Sequence, residues 1–360
     1  MQKSLASSLL GCQVVPKALP EGIHSWLKER WFQDLTLTRP FTITLQNDSD
    51  HIRGESVKVR EVAWRQHVEE ISSLSIFDET LELATFRSDV TDSLGEGVTD
   101  SRGSSSSELI RLASTQKRDI TVWLELADKQ ATLSLVAVDD IDKSAARAGL
   151  WRGNASPYPL MACLQEAVRA AGVFPIHSAC AHSPTGDTVM FLGASGTGKT
   201  TTLVRALQVG WSPVSEDVVW LEANTLRTYS LEKGLRVFEE SLPQLDSELA
   251  ACDWGDLVMG KALLPYEFLT DHYGHRQRQG TALTHVVQLV RCHNVMASAW
   301  QPLSKRQMAI ALWQGLGMPL TPRLRNQLAK LVPSCLEAVQ GWQLTLGDDV
   351  ADVLAKGLPT

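Results

Sequence analysis

Apolar and polar residues alternate through much of the first 150 residues, which is the pattern of strands that bury one face. This alternation predicts one strand over residues 34–45 and two more over 120–126 and 131–138. A short, mostly polar stretch separates the last two strands, so we expect them to form an antiparallel hairpin. The N-terminal part of the chain is therefore predicted to be rich in β-structure.

Two segments of this part depart from the strand pattern. The run 60–74 carries apolar residues at helical spacing and predicts a helix. Residues 93–108 are rich in Ser, Gly, Asp and Thr, which cannot bury a core, so we expect a flexible loop or an insertion. Around residues 149–159 the composition shifts to Gly, Pro, Asn and Ser. We place a domain boundary there and predict two domains, residues 1–150 and 151–360.

Helical and strand patterns are mixed in the second predicted domain. In chain order we predict a helix over 160–171, strands over 173–179 and 188–192, a helix over 201–209, strands over 214–221, 235–238 and 284–290, and helical residues over 305–331. This order predicts a mixed β-sheet flanked by helices. For the whole chain we predict the fold class α+β or α/β, with a smaller β-rich N-terminal domain.

Composition and charge narrow the range of partners. The chain carries 34 Lys and Arg against 41 Asp and Glu, and its longest basic cluster is residues 275–278. Nucleic-acid binding is not expected, because it requires a basic face. The six cysteines are scattered without a C-x-x-C pair, so neither a zinc site nor a disulfide framework is indicated. This usage favours a reducing compartment and a small-molecule or protein substrate.

Membrane association and export are not expected either. No stretch of the sequence approaches the ~18 apolar residues that a membrane-spanning helix requires. The residues Leu9-Leu10-Gly11-Cys12 resemble the cleavage box of a bacterial lipoprotein. The apolar stretch before them is shorter than the ~7–15 residues of a signal sequence. We therefore predict a cytoplasmic protein.

A complete G-x-x-x-x-G-K-[ST] motif lies between a predicted strand and a predicted helix. Glycines let such a loop wrap closely around phosphates, and the following helix N-terminus adds unpaired N–H groups and a positive dipole end. Lys199 would reach the β- and γ-phosphates, and Thr200 can ligate Mg²⁺. We predict ATP and Mg²⁺ as cofactors. The predicted nucleotide-binding residues are Gly193, Ala194, Ser195, Gly196, Thr197, Gly198, Lys199, Thr200 and Thr201.

A second acidic element distinguishes the families of P-loop proteins. Downstream of Lys199 no run of four apolar residues ends in Asp, and neither an N-K-x-D nor an L-S-G-G-Q motif occurs. The apolar run 133–138 is followed by Asp139-Asp140, but it precedes the loop and is better interpreted as a strand ending in a polar turn. The remaining candidate is the pair Glu216-Asp217 on the next predicted strand.

The order of these residues resembles the HPr-kinase and phosphoenolpyruvate-carboxykinase group. In that group a His on an upstream strand precedes the P-loop, and the following helix ends at a Gly before an acidic pair and apolar residues. This chain has His177, the loop 193–200, Gly210 and then Glu216-Asp217-Val218-Val219. The resemblance covers residues 160–225 and implies an HPr-kinase-like P-loop domain.

The resemblance also implies catalytic roles for Lys199, Glu216, Asp217 and His177. Lys199 would carry charge on the phosphates, and Asp217 would hold Mg²⁺ together with Thr200. Glu216 would accept the proton of the acceptor hydroxyl, and His177 would orient Glu216 or touch the transferred phosphate. The family usually has Asp-Asp where this chain has Glu216-Asp217, so the first acid is longer by one methylene group.

Several other residues are candidates for contacts with the nucleotide or the acceptor. The polar, basic segment 271–280 has the composition of a mobile lid or of a plain exposed loop. Trp211, just before the acidic strand, is a candidate for lining the site. Cations that could bind phosphates or an anionic acceptor are Lys233, Arg236, Lys261 and Arg291.

These features predict a kinase that transfers the γ-phosphoryl group of ATP to a hydroxyl of a small molecule or of a peptide or protein serine. The glycine-rich C-terminal signature of true HPr kinases is missing, so we expect an acceptor other than HPr. The alternative is a regulatory or purely hydrolytic nucleotide-binding module. Carboxykinase chemistry is disfavoured because the chain is short for those enzymes and lacks the rest of their motifs. A homo-oligomer stays open.

Overall fold

The structure is a computed structural model, and it divides into two compact units. Unit 1 comprises Met1–Ala171 and Pro319–Leu324, and unit 2 comprises Gly172–Met318 and Arg325–Thr360. The boundary predicted after residue 150 lies outside the described residues and stays a prediction. The structure describes residues 7–10, 12–17, 19–31, 41–47, 70–76, 79–87, 108–114, 121–136, 157–255, 257, 260–292 and 296–359.

Unit 1 contains a large β-sheet. In its described part the strands are β1 (Ser7–Leu9), β2 (Cys12–Lys17), β3 (Thr42–Asn47), β4 (Glu70–Ile76), β5 (Glu79–Arg87), β6 (Glu108–Ser114), β7 (Thr121–Leu126) and β8 (Gln130–Val136). They follow the spatial order β1-β2-β3-β8-β7-β6-β5-β4. The pairs β2–β3 and β3–β8 are parallel, and the other pairs are antiparallel.

Two described helices accompany this sheet. The helix α1 (Glu21–Arg30) buries Ile23, Trp26 and Leu27, which share one face by their three- and four-residue spacing. The helix α2 (Tyr158–Ala170) packs against β6, β7 and β8. Four of its buried apolar residues recur at the same spacing, and they are Leu160, Leu164, Ala167 and Val168. Each helix is therefore held by one apolar stripe.

Unit 2 is built on a mixed sheet with a parallel centre. Its strands are β10 (Ala179–His182), β11 (Thr188–Leu192), β12 (Ser212–Ser215), β18 (His285–Arg291), β19 (Ala299–Pro302) and β20 (Gln340–Leu346). The spatial order is β12-β10-β11-β18-β20-β19. The pairs β11–β18 and β18–β20 are parallel, so the carboxyl ends of these three strands meet at one edge. Ligands of open α/β sheets bind at this kind of edge.

Helices cover both faces of this sheet. The helices α3 (Lys199–Gln208) and α9 (Val350–Ala355) pack on one face, in a cluster that contains Val189 and Phe191. On the other face α7 (Lys305–Gly315) and α8 (Pro322–Ala338) provide Leu312 and Leu328 to a cluster that contains Met190 and Leu192. Alternate residues of β11 thus face opposite layers, as the two-residue period of a strand requires.

Two smaller sheets complete the described part of unit 2. One consists of β9 (Val173–His177), β13 (Val218–Glu222), β14 (Arg227–Tyr229) and β17 (Thr281–Ala282), in the order β17-β14-β13-β9. The other is an antiparallel ribbon of β15 (Gly234–Phe238) and β16 (Lys261–Pro265). The short helices α4 (Leu242–Leu245), α5 (Ser247–Ala250) and α6 (Tyr266–Tyr273) lie near the ribbon in sequence.

The observed elements confirm the mixed α/β character and the predicted hairpin of β7 and β8. The helix predicted over 60–74 is wrong for residues 70–74, which belong to β4, because pairing with β5 outweighs a short helical spacing. The other residues of that prediction, and residues 93–107 of the predicted loop, lie outside the described residues. The helical tail predicted over 305–331 consists of two helices, α7 and α8.

Two predicted strands are each divided in the structure. The run 173–179 forms β9 and β10, and the run 214–221 falls within β12 and β13. In both cases the two strands belong to different sheets. Both divisions lie at the candidate site described below. Within the described part of the chain, no helix has the length and apolar character needed to cross a bilayer.

Candidate functional site

The G-x-x-x-x-G-K-[ST] loop connects β11 to α3 at the carboxyl edge of the parallel strands. Gly196 has φ +80° and Gly198 has φ +103°, a region that favours glycine. Gly193 is needed for a different reason, because a β-carbon there would lie 2.5 Å from the Thr197 hydroxyl oxygen. Thr197 instead donates its hydroxyl to the Ala194 carbonyl at 2.7 Å. The glycines therefore hold a loop whose tip, residues 194–196, is exposed.

Lys199 and Thr200 begin the helix α3 directly after this loop. The buried Lys199 ammonium donates to the carbonyl oxygens of Gly193 at 2.8 Å and Ala194 at 3.2 Å. Burial lowers the pKa of Lys199, while the carboxylates of Asp217 and Glu216 act in the opposite direction. The lysine thus lies across the loop with both predicted acids in its electrostatic environment.

The pair Glu216-Asp217 lies where the chain leaves β12 for β13, and we call this segment the acidic turn. The chain also crosses between the same two sheets at Ser178, between β9 and β10. The Ser178 N–H donates to the Asp217 carbonyl at 2.9 Å, so a hydrogen bond joins the two crossing points. His177 ends β9 opposite Val218 of β13. Strand pairing therefore brings His177 beside the acidic turn, although 40 positions separate it from Asp217.

Asp217 and His177 form a half-exposed pair. His177 Nδ1 lies 3.2 Å from Asp217 Oδ1 and 3.1 Å from the Asp217 carbonyl oxygen. The side chain of His177 is 46% exposed and that of Asp217 is 52% exposed, so both can be reached from solvent. The hydrogen bond from His177 lowers the pKa of Asp217 against the effect of burial, and Lys261 and Lys199 lower it further. Asp217 is therefore an accessible carboxylate that stays ionised.

Glu216 has a different environment, because its side chain is buried. The Thr200 hydroxyl donates to Glu216 Oε1 at 2.5 Å, and the Arg236 N–H reaches Oε2 at 3.3 Å. Burial raises the pKa of Glu216 to about 7, and the neighbouring Glu232 and Asp217 charges add to the rise. The acid that contacts Thr200 is thus Glu216, whereas the resemblance implies Asp217 for that position.

Sequence reasoning missed Glu232, which touches the acidic turn from the segment before β15. Its carboxylate accepts the N–H groups of Glu216, Asp217 and Val218 at 2.6, 2.9 and 2.8 Å. It also accepts the Ser215 hydroxyl at 2.9 Å. Burial raises the pKa of Glu232, and these hydrogen bonds counter the rise. No local motif marks this residue, so only the tertiary contacts reveal it.

The β15–β16 ribbon adds cations beside the acidic turn. Lys261 lies opposite Phe238 in the ribbon, with its ammonium 4.9 Å from the ring centroid. Its charge lowers the pKa of Asp217 and of Glu216, which places it within electrostatic reach of both acids. Arg236 contacts the site through its backbone N–H. Lys233 is exposed before the ribbon, and Arg291 is exposed at the carboxyl end of β18.

Two further candidates, Trp211 and the segment 271–280, are held by the surrounding fold. Trp211 is buried against Phe191 beneath α3, so it belongs to the core. The segment 271–280, a candidate for a lid or for a plain exposed loop, is hydrogen-bonded to β12 and β14. Its anchors are the bonds from Arg278 N–H to Pro213 O, from the Gln277 amide to Val214 O and from Gly280 N–H to Thr228 O.

The site residues fit a nucleoside triphosphate with Mg²⁺. The loop offers backbone N–H groups at the start of α3, and Thr200 and Glu216 place a hydroxyl and a carboxylate oxygen side by side. Among the described residues no cluster of three or more His, Cys, Asp or Glu could hold a metal ion by itself. Mg²⁺ in P-loop sites takes some of its ligands from phosphate oxygens and water, so two protein oxygens suit it.

Comparison with known proteins finds likeness only at the level of structure. No protein-family model matches the chain, and no curated protein matches its sequence. The chain is similar to the solved structure of the HPr(Ser) kinase/phosphatase from Coxiella burnetii at 10% sequence identity. The match covers 51% of this chain and 91% of that chain, with a TM-score of 0.28. At this TM-score the likeness carries no argument about function, so the contacts of the site residues must supply it.

Proposed function

We propose that this protein is an ATP- and Mg²⁺-dependent kinase that transfers the γ-phosphoryl group to a hydroxyl of a small molecule or of a peptide or protein serine. The observation that carries the proposal is the hydrogen bond from the P-loop residue Thr200 to Glu216, immediately beside the His177–Asp217 pair. The loop after β11, a paired hydroxyl and carboxylate oxygen, and an accessible carboxylate thus meet at one edge of the sheet.

The contacts favour a different division of roles from the one that the resemblance implies. Glu216 accepts a hydrogen bond from the Thr200 hydroxyl, so we assign these two residues to the coordination shell of Mg²⁺. Mg²⁺ in this position would neutralise charge on the β- and γ-phosphates. Asp217 is ionised and accessible, so we assign it as the base. His177 holds the Asp217 carboxylate through Nδ1.

In the proposed step the acceptor oxygen attacks the γ-phosphorus. An O–P bond forms, the bond from the γ-phosphorus to the β,γ-bridging oxygen breaks, and ADP leaves with the electron pair. Asp217 takes the hydroxyl proton, which requires the acceptor oxygen to lie about 2.6–3.2 Å from its carboxylate. Lys199 and Lys261 provide positive charge where negative charge develops. An acceptor other than HPr is proposed because the chain lacks the C-terminal signature of HPr kinases.

The test is transfer of label from γ-labelled ATP with Mg²⁺, using a fractionated cell extract as the acceptor pool. Wild type is compared with Lys199→Ala, Asp217→Asn and the control Asp271→Asn, which changes an exposed residue outside the site. We expect labelled product from wild type and the control only. Nucleotide binding should weaken by at least ~10²-fold in Lys199→Ala, because the phosphates lose their cation.

Other outcomes would overturn parts of the proposal. Full activity of Lys199→Ala would exclude the loop as the nucleotide site. Tight ATP binding by wild type without product from any fraction would favour a regulatory module. ADP release without labelled product, unchanged by extract, would indicate hydrolysis alone.

A further inference from the structure

The carboxylate of Glu232 is surrounded by donors from a single short segment. Three successive backbone N–H groups, those of Glu216, Asp217 and Val218, converge on it within 2.6–2.9 Å. The hydroxyl of Ser215, the residue before them, adds a fourth donor at 2.9 Å. One side chain therefore accepts hydrogen bonds from consecutive peptide units across the acidic turn.

The contact between Glu232 and the acidic turn has an electrostatic cost. Glu232 brings a third carboxylate next to Glu216 and Asp217, and its charge raises the pKa of Glu216. A neutral acceptor would satisfy fewer N–H groups, since only an ionised carboxylate offers two oxygens with about four lone-pair sites. The turn also lies between β12 and β13, which pair in different sheets, so no ladder of a single sheet fixes it.

Glu232 is itself held in place from both sides. Its own N–H donates to the Ser230 hydroxyl at 3.0 Å. The carbonyl of the following residue, Lys233, accepts the N–H of Tyr266 at 3.0 Å. The carboxylate thus projects from a fixed backbone, which is what a residue that positions another segment requires.

We propose that Glu232 is a positioning residue of the kinase site: it clamps the backbone of the acidic turn so that Glu216 faces Thr200 and Asp217 faces His177. The inference rests on the proposed function and deepens it by assigning the element that sets the geometry of both acids. Glu232 acts through the peptide N–H groups and touches neither nucleotide nor acceptor. Misplacement of catalytic groups by about 1 Å costs on the order of 10²-fold in rate.

The experiment compares the full-length wild type with Glu232→Gln, the shorter acid Glu232→Asp and the control Glu239→Gln, which changes an exposed residue after β15. The first measurement is hydrogen exchange of peptides containing residues 216–218, without nucleotide or metal. The second is ATP affinity from titration with a fluorescent ATP analogue. The third is kcat and KM for ATP in the labelled-transfer assay with extract.

In Glu232→Gln we expect exchange at the acidic turn to accelerate by at least ~10-fold and kcat to fall by ~10²-fold. The dissociation constant and KM for ATP should stay within ~3-fold, because the P-loop is built on β11 and α3. Glu232→Asp keeps the charge, so it should give an intermediate kcat. If Glu232→Gln does not fold, the Asp variant tests whether Glu232 positions the acidic turn. Glu239→Gln should match wild type.

Two results would overturn the positioning role. The first is unchanged exchange at residues 216–218 in both Glu232 variants. The second is a proportional loss of ATP affinity and kcat, which would indicate general damage to the site. If wild type itself transfers no phosphate, the proposed kinase function fails, and the exchange measurement still decides whether Glu232 clamps the turn.

Discussion

Two carboxylate clusters in unit 2 have opposite electrostatics. Asp246 caps the helix α5 and accepts the N–H groups of Glu248 and Leu249. It also accepts His272 Nε2 at 3.1 Å and the Tyr273 hydroxyl at 2.8 Å. Burial alone would raise the pKa of Asp246, but these hydrogen bonds outweigh it and lower the pKa to about 2. Here every close partner is a donor.

At the acidic turn, by contrast, three carboxylates lie close together. The Glu216 carboxylate accepts one hydrogen bond from a hydroxyl and one from an N–H at 3.3 Å. The charges of Glu232 and Asp217 both disfavour its ionised form. Its pKa rises to about 7, whereas that of Asp246 falls to about 2. The same chemical group therefore stabilises the fold in one place and is electrostatically unfavourable in the other. Excess negative charge is expected where a metal ion is to be bound.

Asp217→Asn should produce the largest effect, a fall in phosphoryl transfer of about 10³-fold, because the amide cannot accept the acceptor proton. The free energy of unfolding should change by less than about 0.5 kcal/mol, since the side chain is half-exposed. Labelled transfer and urea unfolding measure the two quantities. Asp246→Asn, the matched change in the other cluster, should retain transfer. Equal losses in both variants would remove the distinction between the clusters.

Asp246→Asn should instead lower the free energy of unfolding, by about 2 kcal/mol near neutral pH. A carboxylate with a folded-state pKa near 2 stabilises the fold above its unfolded-state pKa of about 4. That contribution is lost as the pH falls through the folded-state pKa. Urea unfolding of both proteins between pH 2 and 7 should therefore show a difference that shrinks below pH 4. A difference that stays constant down to pH 2 would contradict the low pKa.

His177→Gln should lower transfer by about 10-fold, because the carboxylate of Asp217 loses the hydrogen bond that orients it. ATP affinity should stay close to that of wild type, since His177 lies on β9 and not on the P-loop. Kinetic measurement of kcat and KM separates these effects, with His275→Gln as a control at a histidine of the 271–280 segment. Loss of ATP affinity without loss of kcat would assign His177 to nucleotide binding.

Glu216→Gln is expected to have a small effect on stability that acts in the favourable direction. At pH 8 the ionised carboxylate is destabilising, because its pKa is raised by burial and by two neighbouring acids. The neutral amide should increase the free energy of unfolding by about 1 kcal/mol while Mg²⁺-dependent transfer decreases. Thermal unfolding at pH 8 measures the change in stability, and the transfer assay measures the change in activity. A less stable variant would show that the Thr200 contact outweighs the repulsion.

Local sequence was sufficient to predict the loop between β11 and α3. Its glycines, Lys199 and Thr200 act within eight consecutive positions, so the pattern contains most of the geometry. The helix α2 was predictable for a similar reason, because its apolar stripe is continuous. The pair Glu216-Asp217 was found by its spacing from Lys199, and the resemblance supplied its proposed chemistry.

The rest depended on contacts between distant positions. The changes of sheet at Ser178 and at the acidic turn are set by pairing of β9 with β13 and of β10 with β12. A continuous apolar run reveals nothing about such a change. Glu232 contacts the turn from 14–16 positions away, and its own surroundings carry no motif. The roles of Glu216 and Asp217 likewise follow from which neighbour each contacts.

The strand β20 has a consequence for biosynthesis. It lies between β18 and β19, and Leu346 at its end lies within 3.2 Å of where a β-carbon on Gly198 would be. The helix α9 follows it and packs in the same core cluster as α3. A ribosome that has finished the G-x-x-x-x-G-K-[ST] motif must therefore add about 150 further residues before all strands of this sheet are present. During this interval the nascent chain carries the complete motif without its supporting sheet, so chaperone protection would matter most then.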